Sequence, residues 1–400
     1  MTETISRGRR HRIIGALGIA QILSYGATFY LPAILARPIE VDTGWPFAWV
    51  IGGLSLGLVV AGLASRLVGH AIERHGGRPL LASSAVLIAL GLATLALAPN
   101  LPVYVAAWVV IGLGMAAGLY DAAFSTLGRI FGAGARGAIT TLTLWGGFAS
   151  TVCWPLSAYL VETVGWRGTA AVYAAIELLL VLPLYLFMIP REARREAASS
   201  SGAAAPAVGE VPEARRAIAF AILAAALTGG GTISALLSVH VIAILQAGGL
   251  TLAAAVGLGA LIGPAQVGGR VVEMSLGGRH HPMWTLTAAV TLMAAGLGLL
   301  WLGLPLPALA LVSYGAGNGV WSIARGTVPL ALFGPSGYAV MMGRLATPIL
   351  VVQAVAPSVG AVLMDEVGAS GTLAILSVLA LGNVAGVVAL WLWSRARAPS

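Results

Sequence analysis

Long apolar runs separated by short polar stretches recur along the whole of this 400-residue sequence. A helix needs about 20 apolar residues to cross the hydrocarbon core of a bilayer. Inside lipid the backbone must satisfy its own hydrogen bonds, and runs of this kind do so as helices. Only 9% of the residues are charged, against roughly a quarter in soluble domains. The sequence therefore predicts an all-α membrane protein rather than a soluble enzyme.

Twelve apolar runs have the length of a spanning helix, and a polar linker separates the first six from the last six. We expect helices near 13–36, 47–69, 80–98, 101–130, 137–161, 168–189, 217–245, 251–275, 283–303, 306–333, 338–363 and 371–393. The linker, 190–216, is rich in Ala, Ser, Pro and charge. It divides the chain into predicted halves at 1–189 and 217–400.

Arginines concentrate at the N-terminus, in the linker, at the C-terminus and in the loops on that same side of the predicted bundle. The opposite loops hold only Arg37 and Arg167. The positive-inside rule then places both termini in the cytoplasm of a multi-pass protein, which we expect in a bacterial inner membrane. The net charge of +8 is scattered among apolar spans, which favours a lipid bilayer over nucleic acid as the partner.

The two halves repeat each other at an offset near 200 residues. The loop after the second helix reads GHAIERHGGRP at 69–79, and its counterpart reads GRVVEMSLGGRHHP at 269–282. A second match joins 130–169 to 332–372. Repeated halves are typical of secondary transporters, in which one half rocks against the other around a central site.

The first of these loops carries the sharpest motif: Gly69, three residues, the acid Glu73, Arg74, then glycine and the basic Arg78. It closely resembles the loop signature of the major facilitator superfamily, which usually has Asp where this chain has Glu73. The resemblance covers the whole chain and implies the twelve-helix major facilitator fold in a monomer. It also implies that Glu73, Arg74 and Arg78 form a cytoplasmic latch, since a carboxylate near a helix end pairs with arginine and caps a neighbouring helix.

Helices 4 to 8 indicate one group within that superfamily. The segment LYDAAFSTLGRIFGAGARGAI, followed by Pro155 and by GWRG at 165–168, looks like the monocarboxylate porter and oxalate/formate antiporter group. That group favours an arginine in helix 8, which Arg270 supplies, four residues after an aspartate, where this chain has Gln266. The basic residue that those porters often carry in helix 1 is missing. The resemblance implies a small organic anion as the substrate.

Ionisable residues inside spanning segments are costly, which makes each a functional candidate. Arg270 either faces the cavity and holds a carboxylate, or reaches the cytoplasmic surface and pairs with Glu273. Polar or amphipathic residues on the predicted cavity helices are the other candidates for substrate contact, and Tyr25 and Asn318 are the strongest of them. The set is Tyr25, Tyr30, Gln266, Asn318, Trp321 and Gln353.

Asp121 in helix 4 and Arg325 in helix 10 occupy helices that are equivalent under the repeat. They form a gating ion pair, or Asp121 carries a coupling proton, or Asp121 pairs with Arg129 within its own half. Glu177 lies in the middle of predicted helix 6, where a charge is costly, so a packing role is favoured over proton coupling. The single cysteine, Cys153, is interpreted as a core residue rather than as a ligand for a metalloid.

These patterns predict a secondary transporter that moves a small organic anion by alternating access. Energy would come from a coupling proton or a counter-solute. Because no nucleophile–base pair, metal cluster or cofactor motif is readable, we predict no enzymatic activity, no metal and no cofactor. The alternative is a proton-coupled efflux pump for drugs or toxic compounds, including metalloids, and a non-transporting membrane sensor or scaffold is a further class.

Overall fold

The computed structural model describes residues 6–191, 215–276 and 279–395. Over these residues the chain is helical and contains no strand, which confirms the all-α prediction. A 3₁₀ turn at Gly132–Gly134 and a π-helical segment at Glu177–Val181 accompany the α-helices. The helices are α1 (Arg7–Ala27), α2 (Pro32–Thr43), α3 (Phe47–His75), α4 (Gly77–Ala96), α5 (Leu101–Gly118), α6 (Tyr120–Phe131), α7 (Ala135–Gly146), α8 (Ala149–Ile176), α9 (Leu182–Met188), α10 (Arg216–Ala247), α11 (Leu252–Gly259), α12 (Ile262–Ser275), α13 (Pro282–Trp301), α14 (Pro307–Phe333), α15 (Tyr338–Glu366) and α16 (Gly368–Arg395).

Nine helical stretches in the described part of the chain are long and apolar enough to cross a membrane. One of them, Leu101–Met188, is 88 residues long and joins α5 through α9. The count of twelve spanning helices therefore stays a prediction. Most of the predicted linker, 192–214, lies outside the described residues.

Four predicted spans are wrong in being continuous. The span 13–36 is divided between α1 and α2, 101–130 between α5 and α6, 137–161 between α7 and α8, and 251–275 between α11 and α12. Pro32 begins α2, where a missing N–H is harmless, and so marks the first break. The second break falls at Leu119, whose backbone is extended (φ −78°, ψ −169°). Hydropathy does not reveal these breaks, because the residues at them are as apolar as the helices.

The chain divides into two compact units. The first comprises Met1–Ala203 with Gly337–Thr347, and the second comprises Ala204–Ser336 with Pro348–Ser400. Helix α15 thus contributes its first residues to one unit and the remainder to the other. The predicted boundaries of the halves, 1–189 and 217–400, stay a prediction.

Glycines allow close helix crossings in both units. A Cβ atom at Gly112 of α5 would lie 2.5 Å from the carbonyl oxygen of Gly57 in α3. In the second unit, a Cβ at Gly319 of α14 would lie 2.2 Å from the carbonyl oxygen of Gln266 in α12. These contacts make the glycine-rich stretches 112–118 and 315–319 helix-packing surfaces.

One turn shows the sequence repeat as geometry. Gly165 inside α8 and Gly368 at the start of α16 share a φ of 69°, a left-handed conformation that favours glycine. The hydroxyl of Thr169 donates to the carbonyl of Gly165 at 2.8 Å, and that of Thr372 donates to Gly368 at the same distance. The two halves therefore share this turn in both sequence and structure.

Candidate functional site

Arg270 lies between α12 and α14 in the second unit. Its Nε donates to the carbonyl of Gly319 at 3.3 Å and to the Ser322 hydroxyl at 3.2 Å. The residue is only 7% exposed, and its Nη1 is buried with no hydrogen-bond partner among the described residues. Among the described residues Arg270 makes no ion pair, and the predicted pairing with Glu273 is not seen in this arrangement.

Glu273 instead belongs to a polar cluster at the end of α12. The Thr285 hydroxyl donates to its Oε1 at 2.8 Å, and His280 Nε2 lies 3.2 Å from its Oε2. His280 Nε2 also lies 3.1 Å from the Thr285 hydroxyl. The cluster ties α12 to the following loop and to α13.

The other predicted substrate residues of the second unit differ in exposure. Gln266, Asn318 and Gln353 are half-buried. Trp321 is buried, and its indole Nε1 packs so tightly on α10 that a Cβ at Gly230 would lie 2.4 Å from it. The guanidinium carbon of buried Arg325 lies 5.9 Å from the centre of the Trp321 ring. Trp321 therefore has a packing role in this arrangement.

Aromatic side chains converge where α1, α5 and α7 end in the first unit. Tyr25 lies 6.3 Å from Tyr30 and 5.0 Å from Tyr120, measured between ring centroids. Tyr30 in turn meets Trp154 edge to face at 5.9 Å. We call Tyr25, Phe29, Tyr30, Tyr120, Phe124 and Trp154 the aromatic cluster. The helix breaks position it, since each break turns a new helix end toward the same place.

Asp121 directly follows Tyr120 of the aromatic cluster and lies in the first turn of α6. This placement is favourable for a carboxylate, because the amide groups at a helix N-terminus carry partial positive charge. Asp121, Ser65 and Ser125 line a small cavity of about 10 Å³, roughly the space of one water. Asp121 lies in the first unit and Arg325 in the second, and the gate between them stays a prediction.

The latch motif is linked to a residue outside the motif. Arg129 of α6 donates through Nη1 to the main-chain carbonyl of Glu73, and the same nitrogen lies 3.5 Å from the Glu73 carboxylate. Arg74 is exposed, whereas Arg78 is half-buried beside Leu186. The structure thus places Arg129 of α6 against Glu73, and the latch of Glu73, Arg74 and Arg78 stays a prediction.

A short segment of α15 meets α3 just before the motif. The Thr347 hydroxyl donates to the carbonyl of Gly62 at 2.7 Å. A Cβ at Gly343 would lie 2.3 Å from the carbonyl of Ser65, and a Cβ at Gly69 would lie 2.4 Å from the carbonyl of Ala339. All these residues belong to the first unit. Glycine is therefore required here by direct backbone contact.

The profile of the Major Facilitator Superfamily matches residues 17–343 of this sequence. The chain belongs to the Major Facilitator Superfamily. By its family, the chain is therefore a multi-pass membrane transporter rather than an enzyme. Monocarboxylate transporter 11 of Mus musculus is 26% identical over 358 residues, which cover 86% of this chain and 71% of that protein.

Solved structures of superfamily members share the fold. The transporter FucP in its outward conformation matches with a TM-score of 0.72 at 12% identity, over 96% of this chain and 99% of that one. The human organic anion transporter MFSD10 matches with a TM-score of 0.70 at 16% identity, over 94% and 99%. The proton:xylose symporter XylE matches with a TM-score of 0.68 at 11% identity, over 97% and 96%.

Several residues of this superfamily member were not predicted in the roles that the structure gives them. Arg129 was considered only as a partner of Asp121, and Ser322, His280 and Thr285 were not considered as partners at all. Tyr120 and Phe124 were also missed, although a signal exists: they are four residues apart and so share one face of α6. The partners of Glu73 and Arg270 carry no local signal, because they lie 56 and 52 residues away.

Proposed function

We propose that this chain moves a small, monocarboxylate-like organic anion across the membrane by alternating access, with Arg270 as the anion anchor. The observation that carries the proposal is the buried Nη1 of Arg270, which has no hydrogen-bond partner among the described residues. A buried donor without a partner costs free energy, and an anion would supply the missing acceptor. The planar guanidinium also matches a carboxylate in shape, since two parallel N–H groups meet two oxygens.

The relatives support the substrate class by their names. A monocarboxylate transporter is a sequence relative, and an organic anion transporter shares the fold. In our proposal the amides of Gln266, Asn318 and Gln353 and the rings of Tyr25, Tyr30 and Trp321 contact the substrate during the cycle. Asp121 and Arg325 couple or gate, Glu73, Arg74 and Arg78 form the latch, and a proton or counter-solute drives transport. We further propose twelve spans, a monomer, and a bacterial inner membrane with both termini in the cytoplasm.

Efflux of drugs is a second candidate because of the aromatic cluster. Phe29 and Trp154 are the exposed members of the cluster, and exposed rings suit a flat apolar cation. Metalloid efflux gains no such support, since Cys153 is fully buried and its thiol donates to the Ile22 carbonyl at 3.4 Å.

Counterflow in proteoliposomes tests the anion proposal. Purified protein is reconstituted with unlabelled pyruvate or lactate inside, and entry of the labelled anion is measured for the wild type and for Arg270→Gln. The matched control is Arg279→Gln, which removes the same charge from an exposed position nine residues later. We expect Arg270→Gln to lose counterflow and Arg279→Gln to keep it. Counterflow that persists in Arg270→Gln would overturn the anchor, and exchange of cationic drugs alone would favour the efflux candidate.

A further inference from the structure

Glu177 is a carboxylic acid in the interior of the first unit. It begins the π-helical segment that connects α8 to α9, and this segment packs against α1 and α4. Glu177 and Gln21 are 0% exposed, as is Tyr185, and Ser24 is 1% exposed. A side chain that can carry a charge is therefore completely withdrawn from solvent.

The groups around this carboxyl are neutral. Ser24 and Tyr185 lie against it, and Gln21 lies beside Tyr185 while its Nε2 donates to the Gly118 carbonyl at 2.7 Å. Neither carboxyl oxygen has a well-formed hydrogen bond among the described residues. No ion pair reaches Glu177 within the described chain.

The neighbouring elements bring few titratable groups. On α8 the buried titratable groups are Tyr173, whose hydroxyl bonds Ser157, and the thiol of Cys153. Tyr159 and Glu162 of α8 are exposed, and Arg167 pairs with Asp42. Arg78 is the charged residue of α4, and it lies beside Leu186, nine positions beyond Glu177 or about 14 Å along a helix. On α1 the titratable residue next to Ser24 is Tyr25, whose ring belongs to the aromatic cluster. Tyr185 is thus the titratable group that faces the carboxyl.

An ionised carboxylate in such surroundings would lose its hydration without gaining a cation, which costs several kcal/mol. The neutral acid avoids that cost. The arrangement seen here therefore requires a proton on Glu177, and any arrangement that admits water to the carboxyl removes the requirement.

The local backbone gives a route by which water could enter. Pro183 lacks an N–H and its ring opposes the carbonyl four residues earlier, which accounts for the wider π-helical turn before it. On the other side, Ser24 lies four residues before Thr28, where α1 ends. Tyr25, on the same turn of α1, joins the aromatic cluster. A shift of α1 at its break would therefore move the aromatic cluster and unpack Glu177 together.

We propose that Glu177 is a proton-binding site coupled to the position of α1. The acid keeps its proton while α1 packs as described. When α1 moves and water enters, the O–H bond breaks, the proton passes to water as hydronium, and the carboxylate remains. The inference rests on the proposed transport function for its use, because one such proton in each cycle would couple solute movement to a proton gradient.

Proton binding is measured without any solute. Infrared difference spectra of the reconstituted protein are recorded across a pH titration, and the C=O stretching band of a protonated, poorly hydrated carboxyl is followed. We expect the wild type to show this band, Glu177→Gln to lack it, and Glu162→Gln, which alters an exposed acid on α8, to keep it. Ser24→Ala retains Glu177 and should move the pH at which the band disappears. A band that survives Glu177→Gln would overturn the proposal.

Transport then tests coupling. Glu177→Gln has the shape of the neutral acid, so it should fold and exchange solute at the rate of the wild type. Accumulation driven by a proton gradient should fall to the level of protein-free liposomes. Equal accumulation by the variant and the wild type would overturn the coupling role. If the infrared band is present but the wild type transports no solute, the proposed function fails while the proton site stands.

Discussion

The repeated segments 69–79 and 269–282, which begin inside α3 and α12, start alike and end differently. Gly69 and Gly269 stand 200 positions apart, and each lies where a Cβ would come within 2.6 Å of a backbone oxygen. Four residues later each segment has a glutamate, still within its helix. Glu73 is held by Arg129 of α6, whereas Glu273 is held by His280 and Thr285. The repeat has kept the close contact and the acid but not the partner of the acid.

This difference gives the two links different properties. An arginine remains charged at every relevant pH, whereas a histidine carries charge only when protonated. The first link also joins two helices that are distant in sequence, while the second joins α12 to the loop that follows it and to α13. A duplicated motif has therefore kept its acid, which one half holds from a distant helix and the other from a neighbouring loop and helix.

Substitution of Gly69 or Gly269 should give the largest loss of stability. The two losses should be equal if the close contact is the feature that the halves share. Gly69→Ala and Gly269→Ala each place a methyl group against backbone that cannot rotate away. We expect each to lower the free energy of unfolding by about 3 kcal/mol, measured by unfolding in mixed micelles. Gly268→Ala is the control, because its Cβ would meet nothing within 4 Å. If Gly268→Ala lowered the free energy of unfolding as much as Gly269→Ala, close contact would not explain the loss.

Removal of the Arg129 charge should give the next largest loss in the free energy of unfolding. Arg129→Gln leaves Glu73, whose side chain is 22% exposed, without its buried cation. Because Glu73 keeps some contact with water, we expect a loss of about 2 kcal/mol rather than the larger value for a fully buried pair. Arg74→Gln, one residue from Glu73 but exposed, should change stability by less than about 0.5 kcal/mol. Equal losses in the two variants would mean that Arg129 does not clasp Glu73.

The link of Glu273 to His280 and Thr285 should be weaker than that of Glu73 to Arg129. Thr285→Val measures the contribution of the uncharged hydroxyl. The substitution removes the hydroxyl that donates to Glu273 at 2.8 Å and keeps the volume. We expect a loss of about 1 kcal/mol in the same unfolding assay. Thr287→Val is the matched control on α13, since its hydroxyl donates only to the main chain of its own helix. A smaller loss at Thr285 than at Thr287 would contradict the link.

His280→Gln should give the smallest loss of stability. Glutamine keeps a side-chain donor near the Glu273 carboxylate, from which His280 Nε2 lies 3.2 Å away. We therefore expect a loss in the free energy of unfolding of no more than about 0.5 kcal/mol, measured in the same unfolding assay. A loss at His280 as large as that at Arg129 would remove the contrast between the two links.

Much of the fold follows from hydrophobicity, because lipid forces apolar runs into helices. The breaks within those helices do not follow from it. Leu119 is as apolar as the helices on either side, and only Pro32 gives a local sign of a break. In the site, spacing directed attention to Arg270 and Glu73, because both occupy recognisable motif positions. Their contacts with Ser322 and Arg129 depend on helix packing over more than 50 residues of sequence, which a single sequence does not encode locally.

The buried position of Cys153 has a practical consequence. Its thiol lies so close to α1 that a Cβ at Gly26 would come within 2.2 Å of the sulfur, and none of its surface reaches solvent. It is also the sole cysteine of the chain. Thiol reagents should therefore leave the natural protein unlabelled, so that spin labels or fluorophores attached to introduced cysteines would report on chosen positions without background.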